Sequence, residues 1–219
     1  MQILSARLSN TSIWPLCILL LLHAVGVIGL SSAFYQYFLT LTPLNLLISA
    51  IIIVASDKDR DFSLATFIVS CFIIGFLAEW IGVHYEWLFG TYIYGQTLGW
   101  KVSDIPIIIG INWLIIIYSI GNIMNLFAAS KLIKVLLGAA LAVLLDVFIE
   151  PVAIHYDFWS WENITPPLQN YIGWFVVSSL LLVIFFQKPD RSSNKSAIAF
   201  LFIQLGFFAL LNLRLMIAG

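Results

Sequence analysis

Charge is scarce in this sequence. Only 10% of its 219 residues are Asp, Glu, Lys or Arg, whereas a soluble domain carries about 25% to keep its surface wet. Ten basic residues against eleven acidic ones leave a net charge of −1, so no basic surface offers itself to a nucleic-acid backbone. Cysteine is nearly missing. Cys17 and Cys71 both fall in apolar stretches, at a spacing that fits no metal motif, and are read as two packed thiols. Long polar linkers and low-complexity tracts are absent too. That excludes a separate soluble domain and leaves residues 1–219 as one expected unit.

What is present is grease. Apolar residues make up 62% of the chain, in repeated blocks that approach the ~20 residues needed to cross a bilayer as helix. The expectation is an all-α, polytopic membrane bundle of about seven transmembrane helices, over 13–30, 35–55, 62–83, 105–126, 132–149, 171–187 and 197–217. The first block is longer than a secretory-signal core and lacks a small-residue cleavage site, so it reads as a retained span. The second is interrupted by Gln36, Pro43 and Asn45. With all seven drawn, Arg7, Lys58, Arg60, Lys131, Lys134, Lys188, Arg191 and Lys195 share one side, and only Lys101 and Arg214 lie on the other. By the positive-inside rule that side, with the amino terminus, is cytoplasmic. Asn10-Thr-Ser and Asn163-Ile-Thr match the glycosylation triplet, which matters only in a eukaryotic secretory setting.

On that topology the loops 84–104 and 150–170 meet the same, non-cytoplasmic face. Glu79, Glu86, Asp104, Asp146, Glu150, Asp157 and Glu162 belong to these loops or to the helix ends entering them. Asp57, Asp59, Asp61 and Asp190 sit beside Lys and Arg and read as solvated loop charge. Asp146 and Glu150 are four apart and share a helix face. Pro151 disfavours helical geometry at Glu150, so the span is expected to end or bend there. Glu86 would share the face of Glu79 if that helix continued through "EWIGVHYE". Ionisable groups inside a span point into the bundle or a wet cavity, which marks Glu79, Asp146 and Glu150. Asp157 and Glu162 read as hydrated ends. His84 and His155 flank the acids in a spacing that matches no zinc or iron signature, and no metal is expected.

The aromatics are one-sided. Trp and Tyr gather at both bilayer interfaces when they serve only as anchors, but here "EWIGVHYEWLFGTYIYGQTLGW" and "HYDFWSWEN" load one face. Beside buried acids they read as cavity walls, with Trp80, Tyr92, Tyr94, Trp113, Trp159 and Trp161 as candidates. Asn112 and Asn122 either line the same cavity or bond between helices.

Residues 75–113, "GFLAEWIGV…FGTYIYGQTLGWKVSDIPIIIGINW", and 144–174, "LLDVFIEPVAIHYDFWSWEN…PPLQNYIGW", resemble the carotenoid biosynthesis membrane family, which includes carotenoid hydratases. The motifs E-x-x-G-V, F-G-x-Y-x-Y, P-x-x-x-G-x-N-W, D-x-x-x-E-P-V-A, D-x-W-x-W and N-Y-I-G-W follow in the family's order, and the last adds Asn170 and Trp174 to the candidate substrate-binding residues. At Tyr85 and Glu86 the family usually has small residues, so no role passes to Glu86. The resemblance implies water addition across the terminal double bond of an acyclic carotenoid end group. It implies no cofactor and a substrate dissolved in the bilayer; the expected location of the chain is a bacterial inner membrane. Nothing in it addresses the oligomeric state.

The residues suit that chemistry. Protonating an unactivated alkene takes a strong acid, and apolar burial favours the neutral form of a carboxyl group. The tertiary cation that results is attracted to Trp and Tyr ring faces, and a second carboxylate must hold and deprotonate water. Either Asp146 or Glu150 is the expected donor, with Glu79 or the other member positioning water. An end-group cyclase using the same protonation, a proton-coupled transporter, and a metal-dependent intramembrane enzyme are the competing readings.

Overall fold

Backbone N–H and C=O groups in hydrocarbon must be satisfied within the segment, and the apolar runs meet this demand as helices. A computed structural model describes residues 13–188 and 192–218. Arg7, the Asn10 triplet, Asp190 and Arg191 lie outside the described residues. Among the described residues eight helices follow in order: α1 Trp14–Leu30, α2 Tyr35–Thr40, α3 Thr42–Ala55, α4 Phe62–Tyr85, α5 Ile108–Met124, α6 Lys131–His155, α7 Leu168–Phe185 and α8 Lys195–Ala218. Four of them, α4, α6, α7 and α8, are long and apolar enough to cross a membrane. The other three expected spans correspond to shorter apolar helices: α1 and α5, each of 17 residues, and α3, of 14. The chain is a membrane protein.

Caps explain several of the boundaries. The Asp61 carboxylate accepts from Leu64 N at the start of α4 (3.0 Å). Ser130 opens α6 in the same way, and Asn194 Oδ1 accepts from Ser196 N and Ala197 N at the start of α8. Each satisfies an amide that the first turn leaves without an intrahelical partner.

The expected span 35–55 is broken. Leu41 closes α2 and precedes α3, whose first turn holds Pro43. Proline has no N–H and its ring collides with the carbonyl four residues back, so it starts a helix more readily than it continues one. The span expected to end or bend at Glu150 does not end there. It runs on to His155 with Pro151 inside. Pro151 and Val147, whose carbonyl loses its partner, are both exposed, so the defect lies on the outward face while Glu150 points inward.

The central element is α5. Every residue from Trp113 to Met124 is buried, and α5 touches α3, α4, α6, α7 and α8. A helix that is apolar all round belongs in such a position. Gly75 lets α4 come close: a Cβ there would stand 2.6 Å from Trp113 Cβ.

The loops contain short strands. β1 (Tyr92–Tyr94) pairs antiparallel with β4 (Trp159–Trp161), setting Tyr92 opposite Trp161 and Tyr94 opposite Trp159. β2 (Lys101–Val102) pairs with β3 (Ile105–Pro106) across Ser103 and Asp104, both at positive φ, as a tight hairpin turn requires. The expected span 105–126 therefore begins as strand and becomes helix only at Ile108.

Two further expectations change. Asp57, read as solvated loop charge, is buried. It accepts from Tyr118 Oη in a cluster where Asn194 bonds the Ile53 carbonyl (2.8 Å) and the Asn122 side chain (2.7 Å). Asn122 thus ties helices together rather than lining a cavity. Cys71 is buried as expected, but Cys17 is exposed on the outward face of α1.

Candidate active site

Glu79 lies late in α4, six residues before the helix stops at Tyr85. The following loop doubles back as β1, and the period of two in a strand turns Tyr92 and Tyr94 inward while Ile93 faces out. Both phenols donate to Glu79 Oε2, Tyr92 at 2.5 Å and Tyr94 at 2.8 Å. From the central helix, Trp113 Nε1 donates to Glu79 Oε1 at 2.9 Å. Three donors converge on one carboxyl group, an arrangement suited to its ionised, acceptor-only form. Burial first, and then the adjacent Glu79 charge, pushes both phenols well above the usual tyrosine range, so they remain donors.

The second centre sits on α6. Glu150 Oε2 accepts from Trp161 Nε1 at 2.8 Å and from Trp159 Nε1 at 3.1 Å. Asn170 of α7 reaches across: its Nδ2 lies 2.7 Å from Asp146 Oδ2 and 3.3 Å from Glu150 Oε1. Asp146 is fully buried, and its Oδ1 has no hydrogen-bond partner among the described residues.

The β1–β4 ladder joins the two centres. Tyr92, which holds Glu79, packs its ring 5.0 Å from Trp161, which holds Glu150. Tyr94 meets Trp159 edge to face. Below, Trp113 stacks on Trp174 with centroids 4.4 Å apart. Between them lies a small chamber of about 20 Å³ lined by Glu79, Glu150, Asn112, Asn170 and these aromatic rings. That is room for about one water molecule, with two acids in its lining.

Most residues expected at the site meet here: Glu79, Glu150, Tyr92, Tyr94, Asn112, Trp113, Trp159, Trp161, Asn170 and Trp174 all line the chamber. Asp146 stands one layer behind, joined through Asn170. Trp80 does not line it. Its ring stacks on His84, and its Nε1 donates to Ser103 Oγ at 3.2 Å. Glu86 does not continue the face of Glu79, because it ends α4 in the left-handed conformation (φ 59°) and is exposed. Asp157 and Glu162 are exposed, as expected of hydrated ends. His84 and His155 are exposed as well, His84 Nδ1 lying 2.9 Å from the Trp80 carbonyl. Among the described residues no three His, Cys, Asp or Glu side chains are placed to hold a metal ion.

Sequence reasoning missed Phe89 and Ile109, which also line the chamber, and it missed the strands. Tyr-x-Tyr and Trp-x-Trp, two aromatics at a spacing of two in each loop, were the available signal for a ladder.

The carotenoid biosynthesis protein family model matches residues 37–219. The chain is similar to a bisanhydrobacterioruberin hydratase of Haloarcula japonica, with 26% identity over 200 residues, covering 85% of this chain and 66% of that protein. The chain thus spans just under two thirds of that relative's length. No solved structure matches it. With a family match across most of its length, including every residue of the acidic chamber, the chain belongs to the carotenoid biosynthesis protein family.

Proposed function

We propose that this protein is a carotenoid hydratase that adds water to the terminal isoprenoid double bond of an acyclic end group. One observation carries the reading: Glu79 and Glu150 line a single water-sized chamber walled by indole and phenol rings. The curated relative named as a hydratase supports the same reaction class.

In this reading the Asp146–Glu150 pair stores one proton. Two carboxyl groups within reach of the same Asn170 nitrogen repel each other when both are ionised. Glu150, the member facing the chamber, gives that proton to the less substituted carbon of the double bond, leaving a tertiary cation on the other carbon. The charge left on the acid pair and the faces of Trp159, Trp161 and Trp113 stabilise the cation. Glu79, fixed by its three donors, orients water for attack at the cationic carbon and accepts the proton released as the C–O bond forms. Return of that proton to the α6 pair closes the cycle. The product is the alkene plus one water, with nothing oxidised or reduced, so the chemistry needs no redox group.

Co-expression in a lycopene-producing host, followed by chromatography and mass measurement of the pigments, tests the reading. A mass gain of one water is the expected result. An isomer of unchanged mass would make the protein a cyclase. Unaltered pigment together with solute flux in proteoliposomes would make the acids a transporter's proton relay.

A further inference from the structure

A second cavity, of about 200 Å³, lies among α1, α3, α5, α6 and α8 and is walled mainly by apolar side chains. Ile109, Asn112 and Trp159 line both this cavity and the acidic chamber, so the two spaces are one side chain apart. The cavity is not sealed on its other side. Val25 on α1 and Leu41 and Leu44 at the start of α3 line it while remaining 45%, 36% and 51% exposed. Leu41, where the second span is broken, lies at this mouth. Phe38 of the short α2 packs down onto Gly29 of α1 and forms part of the wall.

We propose that this cavity is an end-group chamber. One terminus of a linear, acyclic polyene enters sideways from the bilayer between α1 and α3, and its last double bond passes Ile109, Asn112 and Trp159 to reach Glu150. The inference rests on the hydratase reading for the site it feeds, and adds the route and the length of substrate enclosed. The cavity exceeds the ~150 Å³ that accommodates a benzene ring in an apolar interior, so it encloses about one or two isoprene units. The remainder of a long polyene stays in lipid. Each end of a two-ended substrate is then processed in a separate visit, and chain length beyond the enclosed units does not affect binding.

The test uses the full chain carrying Glu150→Gln, purified from carotenoid-producing membranes, with retained pigment per protein read from visible absorbance. Val25→Trp and Leu44→Trp narrow the mouth at exposed positions. Leu21→Trp, 63% exposed on the same helix and outside the cavity lining, is the control. The parent is expected to retain pigment, the two mouth variants severalfold less at an unchanged elution profile, and the control as much as the parent. Should either mouth variant elute abnormally, Val25→Phe or Leu44→Phe replaces it. Acyclic isoprenoids sharing an end group but differing in length are expected to displace the pigment equally. A parent that holds no pigment, mouth variants that hold as much as the parent, or displacement that grows steadily with chain length each overturns the proposal. Failure of the underlying reaction looks different: Glu150-containing protein would hold pigment, lose it on mouth blocking, and return it chemically unchanged.

Discussion

Asn170 and Glu79 line one small chamber, and their side chains hydrogen-bond to different partners. The Asn170 side chain bonds the α6 acids Asp146 and Glu150, while Glu79 is held by Tyr92, Tyr94 and Trp113. The two carboxyl centres thus have separate hydrogen-bond donors and meet through the Tyr92–Trp161 ring contact, so a substitution can remove a donor from one while leaving the other's donors in place.

Removing phenol donors from Glu79 tests its role in holding water. Tyr92→Phe and Tyr94→Phe each delete a hydrogen bond to a buried carboxyl group, an interaction worth about 1.5–3 kcal/mol. The hydration rate in isolated membranes should fall roughly 10- to 100-fold if that loss appears in the transition state. Rates within twofold of the parent would remove Glu79 from the mechanism.

Acid–base groups contribute about 100-fold or more when lost. Glu150→Gln should cost at least that in product formation. Asp146→Asn, which acts through its neighbour, should cost more than about tenfold. Both proteins should reach the membrane in normal amount. Full activity in both variants defeats the assignment.

Trp161→Phe separates two roles of one ring. It keeps a π face near the chamber but deletes the 2.8 Å donor to Glu150. Trp161→Leu deletes both. If the ring stabilises developing charge, the leucine variant should be slower than the phenylalanine variant by about 0.5–2 kcal/mol, or roughly 2- to 30-fold, in single-turnover measurements. Equal rates would confine Trp161 to positioning Glu150.

At the opposite end of the bundle, Asn194→Ala should affect stability and not chemistry. Asn194 caps α8 and bonds both the Ile53 carbonyl and Asn122. Its loss should cost about 1–3 kcal/mol, read as a lowered Tm in detergent. Turnover per folded molecule, measured well below that Tm, should match the parent.

Hydropathy located the helices because a bilayer imposes its demand segment by segment: each apolar run must close its own hydrogen bonds whatever surrounds it. The acids were legible for a related reason. Charge inside such a run is costly enough that Glu79, Asp146 and Glu150 stand out without any knowledge of their partners. The Tyr/Trp loops could be assigned to that same end of the bundle from the order of the spans alone.

The partners were a different matter. That Tyr92 faces Trp161, that Asn170 bridges two acids on another helix, and that Trp80 turns away to His84 all depend on contacts between distant segments. Helix spacing and strand period fix which face a residue takes, but not what lies opposite it. Pro151 shows the limit most clearly. Its local preference argues for a helix end, and only the outward placement of Pro151 and Val147 makes continuation to His155 tolerable. Asp57 is the converse case, a charge in a polar stretch whose burial is set by Tyr118, 61 residues away. The sequence by itself determined a membrane bundle with acids and aromatics at one end, because those properties follow from each segment's own solvation. Tertiary packing alone decided which carboxyl groups share a chamber and how wide it is, because these are distances between segments that no local rule encodes.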